Sequence, residues 1–262
     1  MKHVVLLMAV AGLICACATS PLGRNQLILF PDSEMAQMGA AAFQEIQQQT
    51  PVEKKSSVNN YVSCVAEHIV RALPPDQRGD WEVKVFDQDV ANAFALPGGK
   101  IGVYTGLLDV AENQDQLATV IGHEVAHVLA KHSNERVSTT FVTQSGLQLA
   151  QVAVGADTPM RQQLFGLLGL GAQVGVLLPF SRAQEAEADL VGLKLMAEAG
   201  FDPRESVRLW QNMQAQGGES PPEFMSTHPS SERRITELNA RMREYMPISV
   251  QARSAGRVPD CG

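Results

Sequence analysis

The sequence has 262 residues, of which 45% are hydrophobic and 19% are charged, and its net charge at pH 7 is −7. A chain of this length and composition predicts one globular domain with a sizeable core. The net charge is negative and no basic patch is evident in the sequence, so we do not expect nucleic acid as a partner.

The N-terminus has the pattern of a bacterial lipoprotein signal. A charged start at residues 1–3 precedes an apolar run over residues 4–14 and the small-residue stretch Cys15-Ala16-Cys17. The run is too short for a permanent membrane anchor. It resembles a lipobox cleaved before Cys17, which is then lipidated, and the following Ala18 favours the outer membrane. Ordinary signal-peptidase cleavage that leaves Cys17 free is the alternative.

We therefore expect a protein anchored by its lipid at the periplasmic face of the outer membrane of a Gram-negative bacterium. The predicted segments are a signal peptide (1–16), a lipidated tether (17–31), a catalytic domain (32–246) and a loosely ordered C-terminal tail (247–262). In the oxidising periplasm, the remaining cysteines, Cys64 and Cys261, can form a disulfide. The sequence does not give the distance between them, so the pairing stays open.

Apolar periodicity predicts a mostly helical α+β fold with a small β-sheet. Helices are expected over 31–49, 57–73, 105–112, 113–138, 182–198, 204–214 and 230–245, and strands over 81–87, 92–96 and 100–104. The apolar segment 141–180 has too many glycines for a membrane span. We predict two mobile helices there that cover the active site, with contact to a membrane surface as the alternative.

The run Ile121-Gly-His-Glu-Val-Ala-His127 contains the pattern H-E-x-x-H. Residues four apart lie on one face of a helix, so His123 and His127 can bind one metal ion, and Glu124 can accept a proton from water there. The pattern alone is weakly specific. Here it lies mid-helix on an apolar segment, where a buried Glu beside two histidines is costly without a metal. It predicts a zinc hydrolase, against the alternative of a surface helix with two ordinary histidines.

A catalytic zinc site uses three protein ligands and one open position. Candidates for the third ligand are His132, Glu185, Glu187, Asp189 and His228. His132 is about 140° round the helix from His127, so we predict that it faces away, at the surface or behind a ligand. Glu185 and Asp189 share a helix face while Glu187 points elsewhere. One of the two shared-face carboxylates can bind zinc while the other orients a ligand histidine.

Four motifs in order resemble one family of zinc peptidases. They are Asn92-Ala-Phe-Ala-Leu-Pro-Gly-Gly99, the H-E-x-x-H pattern at 123–127, Ser181-Arg-Ala-Gln-Glu-Ala-Glu-Ala-Asp189, and His228-Pro229 with Arg234. The family is the gluzincin group that includes HtpX and the CAAX prenyl protease. The match over roughly 33–245 resembles its soluble periplasmic branch of proteins such as LoiP and BepA.

The resemblance implies a zincin-type domain with one Zn²⁺ ion bound by His123, His127 and Glu185, and with Glu124 as the base. It implies that Asp189 supports the site and that Arg234 anchors a loop or stabilises charge. His228 of that loop either blocks the zinc or stabilises the transition state. The implied substrate-binding residues, on an edge strand that lines the active site, are Asn92, Ala93, Phe94 and Ala95.

The predicted function is a zinc-dependent endopeptidase that hydrolyses unfolded or misassembled envelope proteins, in quality control of outer-membrane proteins. The expected partners are unfolded polypeptides, the outer-membrane protein assembly machinery and, through the lipid anchor, the membrane. The alternative is a chaperone-like lipoprotein that binds unfolded outer-membrane proteins and cleaves them rarely. A structural zinc site is disfavoured because such sites are usually cysteine-rich and closed.

Overall fold

A computed structural model describes residues 17–153, 180–216, 223–228 and 232–262. The described chain is mostly helical with two small sheets, which confirms the predicted α+β class. The helices are α1 (Asp32–Gln49), α2 (Ser56–Ala72), α3 (Gln114–Leu129), α4 (His132–Ala153), α5 (Arg182–Ala199), α6 (Glu205–Gln216), α7 (Glu223–Thr227) and α8 (Glu232–Ser254). The strands are β1 (Cys17–Thr19), β2 (Asn25–Leu27), β3 (Glu82–Phe86), β4 (Ala93–Leu96) and β5 (Lys100–Tyr104).

The larger sheet has the strand order β3-β5-β4, so β4 lies at its edge. Strand β5 runs parallel to β3 and antiparallel to β4, and its Tyr104 N–H donates to the carbonyl of Asn92 over 3.1 Å. Hydrogen-bonded positions alternate in an antiparallel pair, so the N–H groups of Ala93 and Ala95 point away from β5. The predicted edge strand is therefore confirmed, and it begins one residue later than expected.

Helices α3 and α5 form the centre of the core. Buried apolar residues of α3, among them Leu117 and Ile121, join those of α2, α5 and α6 in one cluster. The two central helices approach most closely at glycines: a Cβ on Gly192 would lie 2.8 Å from the backbone nitrogen of His123. This close approach brings the H-E-x-x-H helix beside the acidic helix.

The prediction that the motif helix continues to residue 138 is wrong. Helix α3 ends at Leu129, Lys131 has a φ of 52°, and α4 begins at His132. A residue in the left-handed region redirects the backbone and ends a helix, a role that usually falls to Gly or Asn. The side chain of Lys131 is anchored by Asp32 at 2.6 Å.

The predicted loose tail from residue 247 is also corrected. Helix α8 continues through Pro247 to Ser254. Its last turns pack inward, because Ser249 and Ala252 are buried and the Ser249 hydroxyl donates to the carbonyl of Phe201 over 2.7 Å.

The C-terminal residues are fastened to the start of α3 and to α2. Gln114 donates to the carbonyl of Pro259 over 3.1 Å and accepts from the N–H of Cys261 over 2.9 Å. Cys261 and Cys64 form a disulfide with their Cα atoms 5.6 Å apart. The pairing that the sequence left open is therefore formed.

The residues after Cys17 are more than the predicted tether, because β1 and β2 pair as an antiparallel hairpin. Gln26 of this hairpin is buried and donates to the carbonyl of Ala130 over 2.7 Å. The predicted signal peptide (1–16) and most of the predicted cover of the active site (154–179) lie outside the described residues. Among the described residues, no helix combines the length and apolar character needed to cross a membrane.

Candidate metal centre

Two well-capped helices set the positions of the candidate ligands. The Asn113 side chain accepts the N–H groups of Asp115 and Gln116 at the start of α3. Ser181 and Gln184 form a reciprocal capping box at the start of α5. These caps satisfy amides that have no partner within the helix and fix where each helix begins. They thereby fix which residues of α3 and α5 face each other.

Four buried side chains converge at this interface: His123, His127, Glu185 and His228. The Nε2 atom of His123 lies 3.0 Å from Nε2 of His127 and 3.2 Å from Nδ1 of His228. The Oε1 atom of Glu185 lies 3.0 Å from the same His228 nitrogen and 3.4 Å from Nε2 of His127. The structure therefore brings together the three predicted ligands and adds His228.

These separations fit a tetrahedral zinc ion. Metal–ligand bonds of about 2.0–2.1 Å place neighbouring ligand atoms about 3.3–3.4 Å apart. Facing lone pairs of the His123 and His127 imidazoles favour a cation between them, and a set of imidazoles with one carboxylate suits zinc. His123, His127 and Glu185 would hold the ion, and His228 lies within reach of the same ligand atoms.

Glu124 lies beside these donors, between the helix and the edge strand. Its Oε2 atom accepts the N–H of Ala95 over 3.2 Å, and its Oε1 atom is 3.3 Å from Nε2 of His228. Burial raises the pKa of Glu124 above its usual value, although the neighbouring His228 and His123 lower it. A carboxylate with a raised pKa is a better proton acceptor, which is what a general base requires.

Asp189 and Arg234 lie behind the donor set. The Oδ1 atom of Asp189 lies 3.1 Å from Nδ1 of His123, the ring nitrogen that faces away from the other donors. Arg234 holds Asp189 through contacts of 2.6 and 2.7 Å and approaches Glu185 at 2.8 Å. Burial alone would raise the pKa of Asp189. Arg234 and His123 outweigh this effect, so the pKa lies below its usual value and the carboxylate is ionised.

His228 is held in the site by aromatic packing at the end of α7. Its ring stacks on Phe224 with centroids 4.4 Å apart, and Phe180 lies 5.2 Å away. The N–H of Phe224 donates to the carbonyl of Ala91 over 3.1 Å, beside the edge strand. In this arrangement His228 occupies the space beside His123 and Glu185 that a water or substrate would need.

The predicted substrate-binding residues divide into two groups. The N–H of Ala95 donates to Glu124 over 3.2 Å, and the N–H of Ala93 donates to the Asn92 side-chain oxygen over 2.9 Å. Phe94 instead packs on the far face of the sheet, within 6.2 Å of Phe43. The backbone of the strand therefore faces the site, while the Phe94 side chain belongs to the core.

Comparison with known proteins decides the family. Residues 56–242 match the model of Peptidase family M48. The chain belongs to this family. Its members are zinc-dependent metallopeptidases, in agreement with the donor set found here.

Relatives of this M48 chain come from both mitochondria and bacteria. It is 36% identical over 203 residues to the mitochondrial metalloendopeptidase OMA1 of Schizosaccharomyces pombe, covering 77% of this chain and 56% of that protein. It is 33% identical to the metalloendopeptidase OMA1 of Danio rerio, covering 87% of this chain and 51% of that protein. It is 25% identical to the beta-barrel assembly-enhancing protease of Escherichia coli, and the match covers 82% of this chain and 45% of that protein. The chain thus spans about half the length of these relatives.

Of the two positions predicted for His132, at the surface or behind a ligand, the structure of this M48 chain has the one behind the ligand His127. His132 is fully buried, with Nδ1 2.9 Å from Nδ1 of His127 and Nε2 3.2 Å from Oε2 of Glu187. The helix break at Lys131 turns the residue back, which a continuous helix would not allow. Burial lowers the pKa of His132 to about 4, although Glu187 raises it.

Two further residues near the M48 site carried no sequence signal. Phe180 stacks on His127 with centroids 3.8 Å apart, and the Arg136 guanidinium lies 3.8 Å from the centre of the Phe180 ring. Burial lowers the pKa of Arg136 to about 10, although Glu185 and Glu124 raise it. Phe180, just before α5, and Arg136 of α4 therefore cover the metal centre on the side of His127.

Proposed function

We propose that this M48 chain is a zinc-dependent endopeptidase. The observation that carries the proposal is the convergence of His123, His127 and Glu185 beside Glu124, which touches the edge strand through Ala95. A structural zinc site has no need of a further carboxylate between its ligands and the unpaired edge of a strand.

Zinc held by His123, His127 and Glu185 would act as a Lewis acid towards the scissile carbonyl and would make water more acidic. Glu124 accepts the proton of the attacking water and delivers it to the leaving amine. The N–H of Ala95 holds one oxygen of Glu124 at 3.2 Å, which fixes the direction of the other oxygen. Asp189 and Arg234 keep the ligand side chains in place during this transfer.

The edge strand favours extended polypeptides as substrates. The N–H groups of Ala93 and Ala95 point to the side of β4 that does not pair with β5, where the side chains of Asn92 and Glu124 accept them in this structure. Only a segment without its own secondary structure can add to such an edge. This supports unfolded or misassembled proteins as the substrate class.

We propose further that the protein acts in the bacterial envelope, anchored to the outer membrane through lipidated Cys17. The lipobox-like run before Cys17 supports this placement. One bacterial relative is named a beta-barrel assembly-enhancing protease, which supports outer-membrane protein quality control as the setting. The assembly machinery of such proteins is the partner that this setting suggests.

Removal of the metal tests the enzymatic proposal. Purified full-length protein is incubated with casein, then stripped with a chelator and supplied again with zinc or, as a control, with magnesium. We expect cleavage to disappear on stripping and to return with about one equivalent of zinc but not with magnesium. Cleavage that persists in metal-free protein would contradict the proposal.

The rival function is that of a chaperone-like lipoprotein, and the position of His228 favours it. With Nδ1 of His228 3.0 Å from Glu185 and 3.2 Å from His123, the donor set is closed in this conformation. If closure limits cleavage, His228→Ala will cleave casein faster than the wild type. His68→Ala, on α2, is the control. If wild type and His228→Ala both hold zinc without cleaving, yet delay aggregation of an unfolded β-barrel protein, the rival stands.

A further inference from the structure

We propose that Glu187 and His132 are positioning residues that hold the zinc ligand His127 in its metal-binding tautomer, and that the N-terminal hairpin anchors them. The contacts form one chain from Arg24 of the hairpin through Glu187 and His132 to His127. The proposal rests on the proposed function in one respect, namely that His127 binds the metal.

The direction of each hydrogen bond follows from the geometry. Nε2 of His127 faces the other donors, so a bound metal takes its lone pair and the ring proton lies on Nδ1. That proton points at Nδ1 of His132, 2.9 Å away, which must accept it. The proton of His132 then lies on Nε2, 3.2 Å from the carboxylate of Glu187. Each histidine therefore has a single tautomer consistent with its partners.

The Glu187 carboxylate accepts hydrogen bonds from two groups of the hairpin that can only donate. Its Oε1 atom accepts the N–H of Leu22 over 3.0 Å, and its Oε2 atom accepts Nε of Arg24 over 3.1 Å. Arg24 also donates to Glu135 of α4 over 2.7 Å, so it joins α4 to α5. The hairpin thus keeps Glu187 oriented towards His132.

The arrangement complements the support that Asp189 gives to His123. Nδ1 of His123 faces a carboxylate directly at 3.1 Å, whereas Nδ1 of His127 reaches one through His132. Partners of this kind fix ring orientation, and their removal typically costs about 10–100-fold in metal affinity. A segment that begins next to the predicted lipidation site, Cys17, is in this way connected to the metal centre.

Glutamine and leucine at position 132 separate positioning from packing. Glutamine can accept from His127 and donate to Glu187, while leucine fills similar space and does neither. In full-length protein, zinc affinity is measured by competition with a chelator, and the visible spectrum of the cobalt(II) form is recorded. We expect His132→Leu to lose about 10–100-fold in zinc affinity and to change the cobalt spectrum. His132→Gln should restore both, and Glu187→Gln should show a smaller loss in the same direction.

Ser138→Ala is the control variant, because this buried residue of α4 holds the N–H of Leu29 at 2.9 Å without touching a ligand. Unchanged zinc affinity in folded His132→Leu would overturn the proposal, as would a glutamine variant as weak as the leucine variant. If His132→Leu does not fold, the zinc affinities of Glu187→Gln and His132→Gln test the proposal instead. Neither readout requires turnover, so a protein that binds zinc and never cleaves would contradict the peptidase proposal alone. A wild type without zinc affinity would overturn both.

Discussion

Asp189 places a buried negative charge beside the ligand His123. It is buried between Nδ1 of His123 at 3.1 Å and the guanidinium of Arg234 at 2.6 Å. Asp189→Asn keeps the shape but leaves a buried arginine short of its partner. Because breaking a buried pair typically costs about 3–5 kcal/mol, we predict a loss of that order in the free energy of unfolding, measured with urea.

Asp202→Asn is a suitable control for this measurement. Asp202 pairs with Arg204, whose side chain is 63% exposed, and exposed ion pairs contribute about 0–1 kcal/mol. Asparagine also replaces aspartate well where the side chain accepts a backbone N–H, as Asp202 does from Arg204. Equal losses in the Asp189 and Asp202 variants would contradict the prediction.

Single residues were predictable where local spacing decides their position. The i, i+4 relation places His123 and His127 together in any helix, and Glu124 follows from it. The roles of Glu185 and Asp189 were not predictable from spacing, because both lie on one face of α5. Only the fold shows that Glu185 lies 3.4 Å from Nε2 of His127 while Asp189 faces the opposite nitrogen of His123.

At the scale of elements, the close packing of α3 on α5 fixes the ligand geometry. A Cβ at Gly192 would lie 2.8 Å from the nitrogen of His123 and 2.9 Å from the carbonyl carbon of Gly122. Backbone atoms on both sides cannot move without separating the helices. We predict that Gly192→Ala destabilises the protein by about 1–3 kcal/mol and weakens zinc binding, despite the better helix propensity of alanine.

Gly79→Ala provides the comparison, because no atom lies within 4 Å of a Cβ built there. Its free energy of unfolding should stay unchanged or rise slightly. Unfolding in urea and competition with a chelator measure the two effects on each variant. A Gly192→Ala variant as stable as Gly79→Ala, with wild-type zinc affinity, would show that the helices can separate freely.

The hairpin and α4 are joined at Glu135, which makes their contact sensitive to acid. Burial would raise the pKa of Glu135, but hydrogen bonds from Arg24, Gln26 and Gln184 lower it from 4.5 to about 2. The folded protein therefore binds fewer protons, and the ionised carboxylate contributes stability that is complete above pH 4.5 and is lost as the pH falls towards 2.

We accordingly predict that the difference in stability between the wild type and Glu135→Gln is greatest near neutral pH. It should shrink progressively below pH 4.5, as measured by urea unfolding at a series of pH values. A difference that stays constant from neutral to about pH 3 would mean that folding does not lower the pKa of this carboxylate.

Element types were largely predictable, and the failures have one cause. Apolar spacing identified α1, α2, α3 and α5, although α3 is buried on every side from Gln116 to His127. It did not reveal the break at Lys131, since lysine carries no termination signal, nor the helix through Pro247, which local rules forbid. Contacts from distant parts of the chain decide both positions: Asp32 holds Lys131, and Phe201 accepts from Ser249.

At the scale of the whole molecule, the disulfide joins the C-terminus to α2 across 197 residues of sequence. A cross-link of this length removes much of the freedom of the unfolded chain, and such bonds typically contribute about 2–4 kcal/mol. We predict that reduction lowers the free energy of unfolding by that amount. The variant Cys64→Ser/Cys261→Ser should have the lower stability and no response to reductant.

If the double variant were as stable as the oxidised wild type, the predicted contribution of the disulfide would be contradicted. The measurement is urea unfolding of both proteins with and without a thiol reductant. A response of the double variant to reductant would show that the effect has another origin.

The sequence predicted only a tether where the structure has the N-terminal hairpin, because long-range contacts hold the hairpin in place. Arg24 and Glu187 are 163 residues apart, and no local pattern relates them. Composition and periodicity describe neighbours along the chain, whereas this pair exists only after α4 and α5 have packed. The sequence could therefore indicate the metal ligands without indicating what surrounds them.

The most direct test of the account is one substitution read in two ways. Glu124→Gln is compared with the wild type for casein cleavage and for zinc content, because Glu124 is assigned to proton transfer and not to metal binding. We predict that the variant keeps one zinc per chain while cleavage falls by about 10²–10⁴-fold. A zinc-loaded Glu124→Gln variant that cleaves at the wild-type rate would contradict the assigned chemistry.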